Sequence, residues 1–296
     1  MSIGDACAMG SAAFWAVSVI LMRVSGLQIP PVPLTFFKNC VAVVCLALLL
    51  VALGDKWVYD LTTGDHLRLV ASAVLGITVA DVMIAAALNR LGASLQALAD
   101  CAYAPSIALV GFVLFGEVLG PWELVGGALV ISGVFVGATM TKEVKVPRDL
   151  WTGVLLAAAA HVIMAVGILM VRDIYRGEAS IAWVTGYRFL VASLVMFLLA
   201  VVSGRRALAH LVVGFRRRDT WKTMIPMSIL GPFMATMFWI GGFKYLEAGR
   251  AAIFNQLSTV FIIVLAYFVL KEEFTKRKAI GTALAFLGAV LVATQK

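Results

Sequence analysis

Charged side chains are scarce in this sequence. Asp, Glu, Lys and Arg make up 14% of its 296 residues, about half the share of a soluble domain. That excludes a water-soluble globular enzyme built around one large core. Histidine is rarer still. His66, His161 and His210 are scattered, with no pair at i, i+3 or i, i+4, so a histidine-built metal or nucleophile centre has no ligands to draw on. The cysteines, Cys7, Cys40, Cys45 and Cys101, all fall inside apolar stretches. None has the spacing of a metal site, and they read as small buried side chains and not as a disulfide framework. There is no G-x-x-x-x-G-K followed by Ser or Thr, and the longest gap between apolar stretches, 203–222, holds no domain. ATP-driven pumping by this chain alone is therefore not expected, and no cofactor is implied. No basic residue precedes the first apolar stretch, so no cleavable targeting segment is expected.

What is abundant is apolar sequence: 62% of the residues are hydrophobic and the mean hydropathy is +1.00. A helix needs about 20 apolar residues to cross the hydrocarbon core. Ten stretches qualify: 5–24, 33–53, 67–88, 94–115, 121–140, 151–171, 181–202, 223–243, 250–270 and 278–294. The net charge of +8 does not point to nucleic acid, because the Lys and Arg lie between these stretches, where they orient a membrane protein and meet anionic lipid. The chain is expected to be all-α, an integral multi-pass protein of a bacterial inner (plasma) membrane.

Part of the sequence is written twice. Residues 91–138 match 246–293 without a gap, 155 positions on, through Leu91/Leu246, Ala97/Ala252, Ile107/Ile262, Glu117/Glu272, Gly126/Gly281, Gly133/Gly288 and Ala138/Ala293. Leu75-Gly76 pairs with Leu230-Gly231 at the same offset. Thr35, Lys38 and Val41-Ala42 pair with Thr185, Arg188 and Val191-Ala192 at 150. Each copy then holds five spans, 1–141 and 150–296, joined by a linker at 142–149. Five is odd, so the second unit enters the membrane inverted. The expected architecture is ten transmembrane helices as two inverted five-helix repeats, with a site midway between them.

The layout resembles the drug/metabolite transporter superfamily, EamA-type. The residues that carry the resemblance are Ala87-Leu88-Asn89-Arg90-Leu91-Gly92-Ala93 before the fourth span and Leu114-Phe115-Gly116-Glu117 after it. Their counterparts are Gly242-Phe243-Lys244-Tyr245-Leu246-Glu247-Ala248 and Leu270-Lys271-Glu272-Glu273; Lys271 departs by standing where the pattern has Gly. The resemblance covers almost the whole chain. It implies a secondary carrier, often an exporter of small metabolites, with termini in the cytoplasm. Charge counting disagrees. The side of the termini carries Lys56, Arg68, Arg172, Arg176, Lys244, Arg250 and Lys296, and the other side roughly twice as many Lys and Arg, which places that other side in the cytoplasm. The two indications conflict, and both orientations stay open. On that richer side, Arg205-Arg206 and Arg216-Arg217-Arg218 enclose Leu208 to Phe215, a stretch suited to an anionic leaflet.

An ionisable group inside a span is costly unless it faces a partner or a watery cavity. Lys38 and its mate Arg188 either snorkel to the interface or flank a central cavity. Asp81, whose mate is Thr236, either forms a structural salt bridge, for example to Lys38, or binds a proton or a cationic substrate. Gln96, Asp100 and Tyr103 are spaced i, i+4, i+7, so they share a face, and Pro105 follows them. Asn255, Gln256 and Ser258 answer from the second copy. These two faces line a cavity or hydrogen-bond between helices. Trp15, Trp239, Trp183 and Tyr187 are candidate aromatic walls, or interface residues. Glu117 and Glu272 read as helix caps. His161 reads as a hydrogen-bonded packing residue before a proton relay. Gly126, Gly133 and Gly137, with Gly281, Ala285 and Gly288, ridge spans five and ten for close packing or a homodimer.

The leading reading is a secondary transporter for small metabolites such as amino acids or organic cations. It would work by alternating access, with protons as coupling ion or by exchange. The partners implied are the small-molecule substrate and membrane lipids. A membrane-embedded enzyme and a receptor or scaffold subunit are the alternatives; a sealed bundle with no central cavity would favour the latter.

Overall fold

A computed structural model of the chain describes residues 3–116, 120–138, 144, 146–245 and 248–294, with backbone only at 123, 175–176, 242–244, 248–256 and 292–294. The described residues form ten helical spans. They are α1 Ile3–Gly26, α2 Pro31–Leu53, α3 Thr63–Leu91, α4 Ala93–Phe115, α5 Pro121–Gly137, α6 Pro147–Leu169 and α7 Ile181–Val202. Span α8 runs as Trp221–Ser228, Ile229–Ala235 and Thr236–Tyr245; α9 is Ala248–Val269 and α10 is Lys276–Thr294. Seven helices among the described residues are long and apolar enough to cross a membrane, and Leu124–Gly137 and Leu257–Val269 are shorter apolar helices. The chain is an integral, multi-pass membrane protein.

Local chemistry sets the helix ends. Pro31, Pro121 and Pro147 stand in first turns, where the missing N–H costs nothing. Gly54 closes α2 in the left-handed region at φ 62°. Thr62 and Asp65 form a capping box ahead of α3, and the Ser180 hydroxyl accepts from Trp183 N at 3.1 Å to start α7.

The packing repeats when the two units are exchanged. Span α1 lies against α8 and α9, and its counterpart α6 lies against α3 and α4. The self-paired contacts are α2 with α7 and α5 with α10. This is the arrangement that an inverted duplication produces. One core gathers Val19, Ile20, Leu34, Ile84, Met227 and Ile262, and a second gathers Leu91, Leu95, Val130, Leu150 and Ala285. Leu48, Leu155, Leu198 and Phe268 are exposed on the outside, an apolar surface that acyl chains cover.

Two features escape the sequence reading of uniform α-helices. Residues Val74–Val79 of α3 and Ile229–Ala235 of α8 are π-helical, 155 positions apart like the sequence repeat itself. A π turn widens the helix and frees carbonyls to other donors. Hydroxyls from the opposite unit take those places. In α8, Ser18 donates to Met227 O at 2.9 Å and Ser11 donates to Ala235 O at 3.0 Å; beside the α3 segment, Ser72 of α3 donates across to Gly167 O of α6. Pro232, which has no N–H, stands five residues after Met227.

The glycine ridges meet each other within the chain. A methyl added at Gly281 would lie 2.5 Å from Gly137 Cα, and one at Gly288 would lie 2.5 Å from Gly126 O. Backbones this close require glycine. The ridges are occupied here and are not free to join a second copy, which would have to meet the outer faces bearing Ile131, Phe135 and Leu287.

Candidate functional site

Span α4 is broken in its middle. It runs as Ala93–Asp100 and Tyr103–Phe115, with Cys101 and Ala102 in tighter turns bonded to Leu98 O at 3.3 Å and Ala99 O at 3.0 Å. Pro105 lacks the N–H that would continue the ladder to Cys101 O. The break leaves Asp100 at the end of the first half-helix. Discontinuous helices of this kind present polar groups to substrates and ions in carriers.

Asp100 is the hub of a polar group. Its Oδ1 accepts from Gln96 Nε2 at 2.7 Å and from His161 Nε2, on α6, at 2.9 Å. The i, i+4 spacing from Gln96 makes the first bond, so that part was legible. The Tyr103 ring stands 6.0 Å from the His161 ring at 67°, and 6.4 Å from the Trp239 ring of α8 at 59°. Helices α4 and α6, one from each unit, thus meet at one carboxylate, and α8 joins the group through the contact of Trp239 with Tyr103. Both bonds fall on Oδ1, and the side chain keeps 19% of its surface accessible. His161 is buried and its Nδ1 has no partner. The bond between His161 and Asp100 joins an imidazole of α6 to the carboxylate of α4.

The other charged residues pair elsewhere. Lys38 Nζ forms a salt bridge to Asp81 Oδ2, joining α2 to α3. Both are buried or half-buried, and each neutralises the other. Arg188 is buried on α7 beside the π segment of α3, where a methyl at Gly76 would come 3.0 Å from its Nη2. Trp15, on α1 of the first unit, lies beside Gly231, the repeat mate of Gly76 on α8. Ser258 is half-buried on α9. Its neighbour Thr259 donates to Ala97 O at 3.4 Å, at the break of α4. The side chains of Asn255 and Gln256 lie outside the described residues, as does Glu117.

His161 is the residue that sequence reasoning placed among packing groups. It is hydrogen-bonded, as read, but to the hub carboxylate, which brings it into the site. Nothing in the sequence names its partner, which lies 61 positions away. The expected aromatic walls separate. Trp239 joins the Asp100 group, whereas Trp183 gathers with Tyr59 and Tyr187 at the start of α7, with ring centroids at 5.1 and 5.2 Å. Trp183 Nε1 donates to Trp57 O at 2.8 Å, and His66 Nδ1 lies 3.4 Å from Tyr187 Oη. In the same loop the Ser180 hydroxyl, and after it Tyr59, holds the Asp55 carboxyl below its usual range. This cluster ties the 54–62 loop to α7. Among the described residues, no three His, Cys, Asp or Glu side chains come together as metal ligands.

Glu272 is a cap, but not of the helix that follows it. It is buried, and it accepts from Ala93 N at 2.7 Å and from Ser94 N and Oγ at 2.8 and 2.6 Å. It therefore caps α4, in the other unit. A carboxylate at a helix N-terminus meets both the open N–H groups and the positive end of the dipole.

Comparison with known proteins agrees with this architecture. The sequence matches the family described as EamA-like transporter family over residues 2–138 and 151–294. An uncharacterized transporter of Archaeoglobus fulgidus is 28% identical over 101 residues, which is 32% of this chain and 37% of that protein. The uncharacterized transporters YetK and YyaM of Bacillus subtilis are each 28% identical, over 50% and 40% of this chain. The matched stretches span 43% and 35% of those two proteins, so the chain spans less than half the length of the curated relatives it matches. One crystal structure superposes with a TM-score of 0.70 at 19% identity, covering 98% of this chain and 96% of that one. At that identity the likeness shows the fold.

Proposed function

The chain belongs to the EamA-like transporter family, and on that premise we propose that it is a secondary active transporter exporting small metabolites, amino acids or organic cations, across a plasma membrane. It works by alternating access about the α4 break, with the two five-helix units, 1–141 and 150–296, rocking around Asp100. The observation that carries this reading is Asp100 itself: a partly accessible carboxylate at a broken helix, held by Gln96 and His161, with the Tyr103 ring packed against His161 and Trp239. A cationic group fits there, met by the carboxylate and by the rings of Tyr103 and Trp239. A proton on Asp100 and a cationic substrate compete for one charge, which couples their movements or drives exchange. Asp81 is already neutralised by Lys38 and holds α2 to α3; the coupling role passes to Asp100.

The substrate need not be identified before the test is run. A bound ligand raises the melting temperature by mass action. The purified full chain is screened by thermal shift against amino acids and organic amines. The Asp100→Asn variant should lose the shifts that amines give the parent, while melting as cooperatively without ligand. In proteoliposomes it should also lose accumulation driven by a proton gradient. Parental amine shifts and parental uphill transport in Asp100→Asn would overturn the assignment.

A further inference from the structure

The segment between α7 and α8 folds into two short helices, Arg205–Leu211 and Val213–Arg216. Its apolar side is anchored. Leu211 is buried, and Phe215 packs on Phe36 and Phe37 with ring centroids 5.9 and 4.7 Å away. Trp221 Nε1 donates to Gly214 O at 3.1 Å. Arg217 is also engaged, donating to Gln28 Oε1 at 3.0 Å and to Asp219 at 2.9 Å. The remaining arginines, Arg205, Arg206, Arg216 and Arg218, are exposed. Among the described residues none of these four has a carboxylate within ion-pair distance.

Between these short helices and the last turns of α7 runs a groove of about 320 Å³, lined by Phe197, Arg205, Leu208, Ala209, Val212 and Arg216. Its walls are apolar, and its charged lining residues are two arginines. On α7, which supplies Phe197 to the groove, Leu194, Leu198 and Val201 are exposed where acyl chains cover the protein.

We propose that this groove is a binding site for an anionic phospholipid. The phosphate sits between the guanidinium groups of Arg205 and Arg216, and one acyl chain lies along Phe197, Leu208 and Val212. The chemistry requires both parts. Inorganic phosphate would satisfy the arginines and leave the apolar wall uncovered. A zwitterionic lipid would cover the wall, but its own ammonium offsets the attraction. Only an amphipathic anion serves both ends, and guanidinium groups hold phosphate oxygens with matched geometry. The anchored position of Phe215 and Leu211 fixes the site before lipid arrives, so little ordering cost opposes binding. The inference stands apart from the substrate site, and neither result bears on the other.

The test uses the full chain in detergent, titrated with phosphatidylglycerol, phosphatidylcholine or inorganic phosphate, with bound lipid counted by native mass spectrometry. Each basic residue near an anionic headgroup contributes about a factor of five, so the two together should favour phosphatidylglycerol by roughly 25-fold. Arg205→Gln with Arg216→Gln should bring phosphatidylglycerol to the level of phosphatidylcholine. Arg206→Gln with Arg218→Gln, outside the groove, should keep the preference. Ala209→Trp fills the groove and should weaken the tightly held lipid without touching a charge, which keeps the test decisive if the double arginine variant does not fold. Equal binding of the two lipids by the parent would overturn the proposal. So would a preference that survives Arg205→Gln with Arg216→Gln, or an unchanged tight site in Ala209→Trp. Binding of inorganic phosphate equal to that of phosphatidylglycerol would overturn the lipid as occupant.

Discussion

Lys271 stands at φ 58°, and among the described residues it is the non-glycine residue with positive φ. Its repeat mate is Gly116, which closes α4 at φ 66°. The second copy therefore keeps the backbone turn and lacks the residue that makes it cheap. A left-handed residue with a Cβ costs about 1 to 2 kcal/mol. Part of that is offset by the extra freedom glycine gives the unfolded chain. Lys271→Gly should stabilise the protein by about 0.5 to 1 kcal/mol, read as a raised melting midpoint in detergent. Glu272, the next residue, predicts the opposite sign. Glu272→Ala leaves Ala93 N, Ser94 N and Ser94 Oγ without their shared acceptor, all of them buried. Loss of a charged cap in such a place should cost about 2 to 3 kcal/mol, measured by the same melt. The unusual residue at 271 was legible in the sequence as a departure from its copy. What Glu272 caps was not, because a repeat tells which residues correspond and not which ones touch.

At the level of helices, the sequence and the structure agree closely where hydropathy decides. The apolar stretch 181–202 is α7, Ile181–Val202, and the others match within a few residues. Hydropathy reads length and apolar content, so it gives spans reliably. It is blind to register. The π segments of α3 and α8 and the break in α4 change few hydropathic properties, yet they decide where carbonyls are freed and where Asp100 points. The duplicated Leu-Gly pairs at 75–76 and 230–231 marked the π segments in the sequence without saying why. The glycine ridges of α5 and α10 were legible as close-packing faces, and their partner proved to be each other. A Leu at Gly281 must push against the Gly137 backbone, which cannot swing aside. Gly281→Leu should destabilise the protein by about 3 kcal/mol, the upper range for overpacking. Gly127, with nothing within 4 Å of an added Cβ, is the matched control. Gly127→Leu should melt within about 0.5 kcal/mol of the parent.

For the molecule as a whole, the exchange symmetry of its packing follows from the duplication, and the inversion from the odd number of spans in each copy, both conveyed by the sequence alone. The charge at its centre does not share that symmetry. The first unit supplies Lys38, Asp81 and Asp100, and the second supplies His161, Arg188 and Trp239. The scaffold is duplicated, but the chemistry is divided between the halves, so neither half could carry the proposed site alone. The cap on α4 gives this division a temporal side. A ribosome makes the chain from its first residue onward, and Glu272 is made 179 positions after Ala93. Until nine spans have emerged, the amides that open the fourth helix must make do with water, lipid headgroups or the insertion machinery. The first half is thus held unfinished until nearly the last of the second is in place, and a chain cut short before that carboxylate would be left with an open helix end for quality control to find.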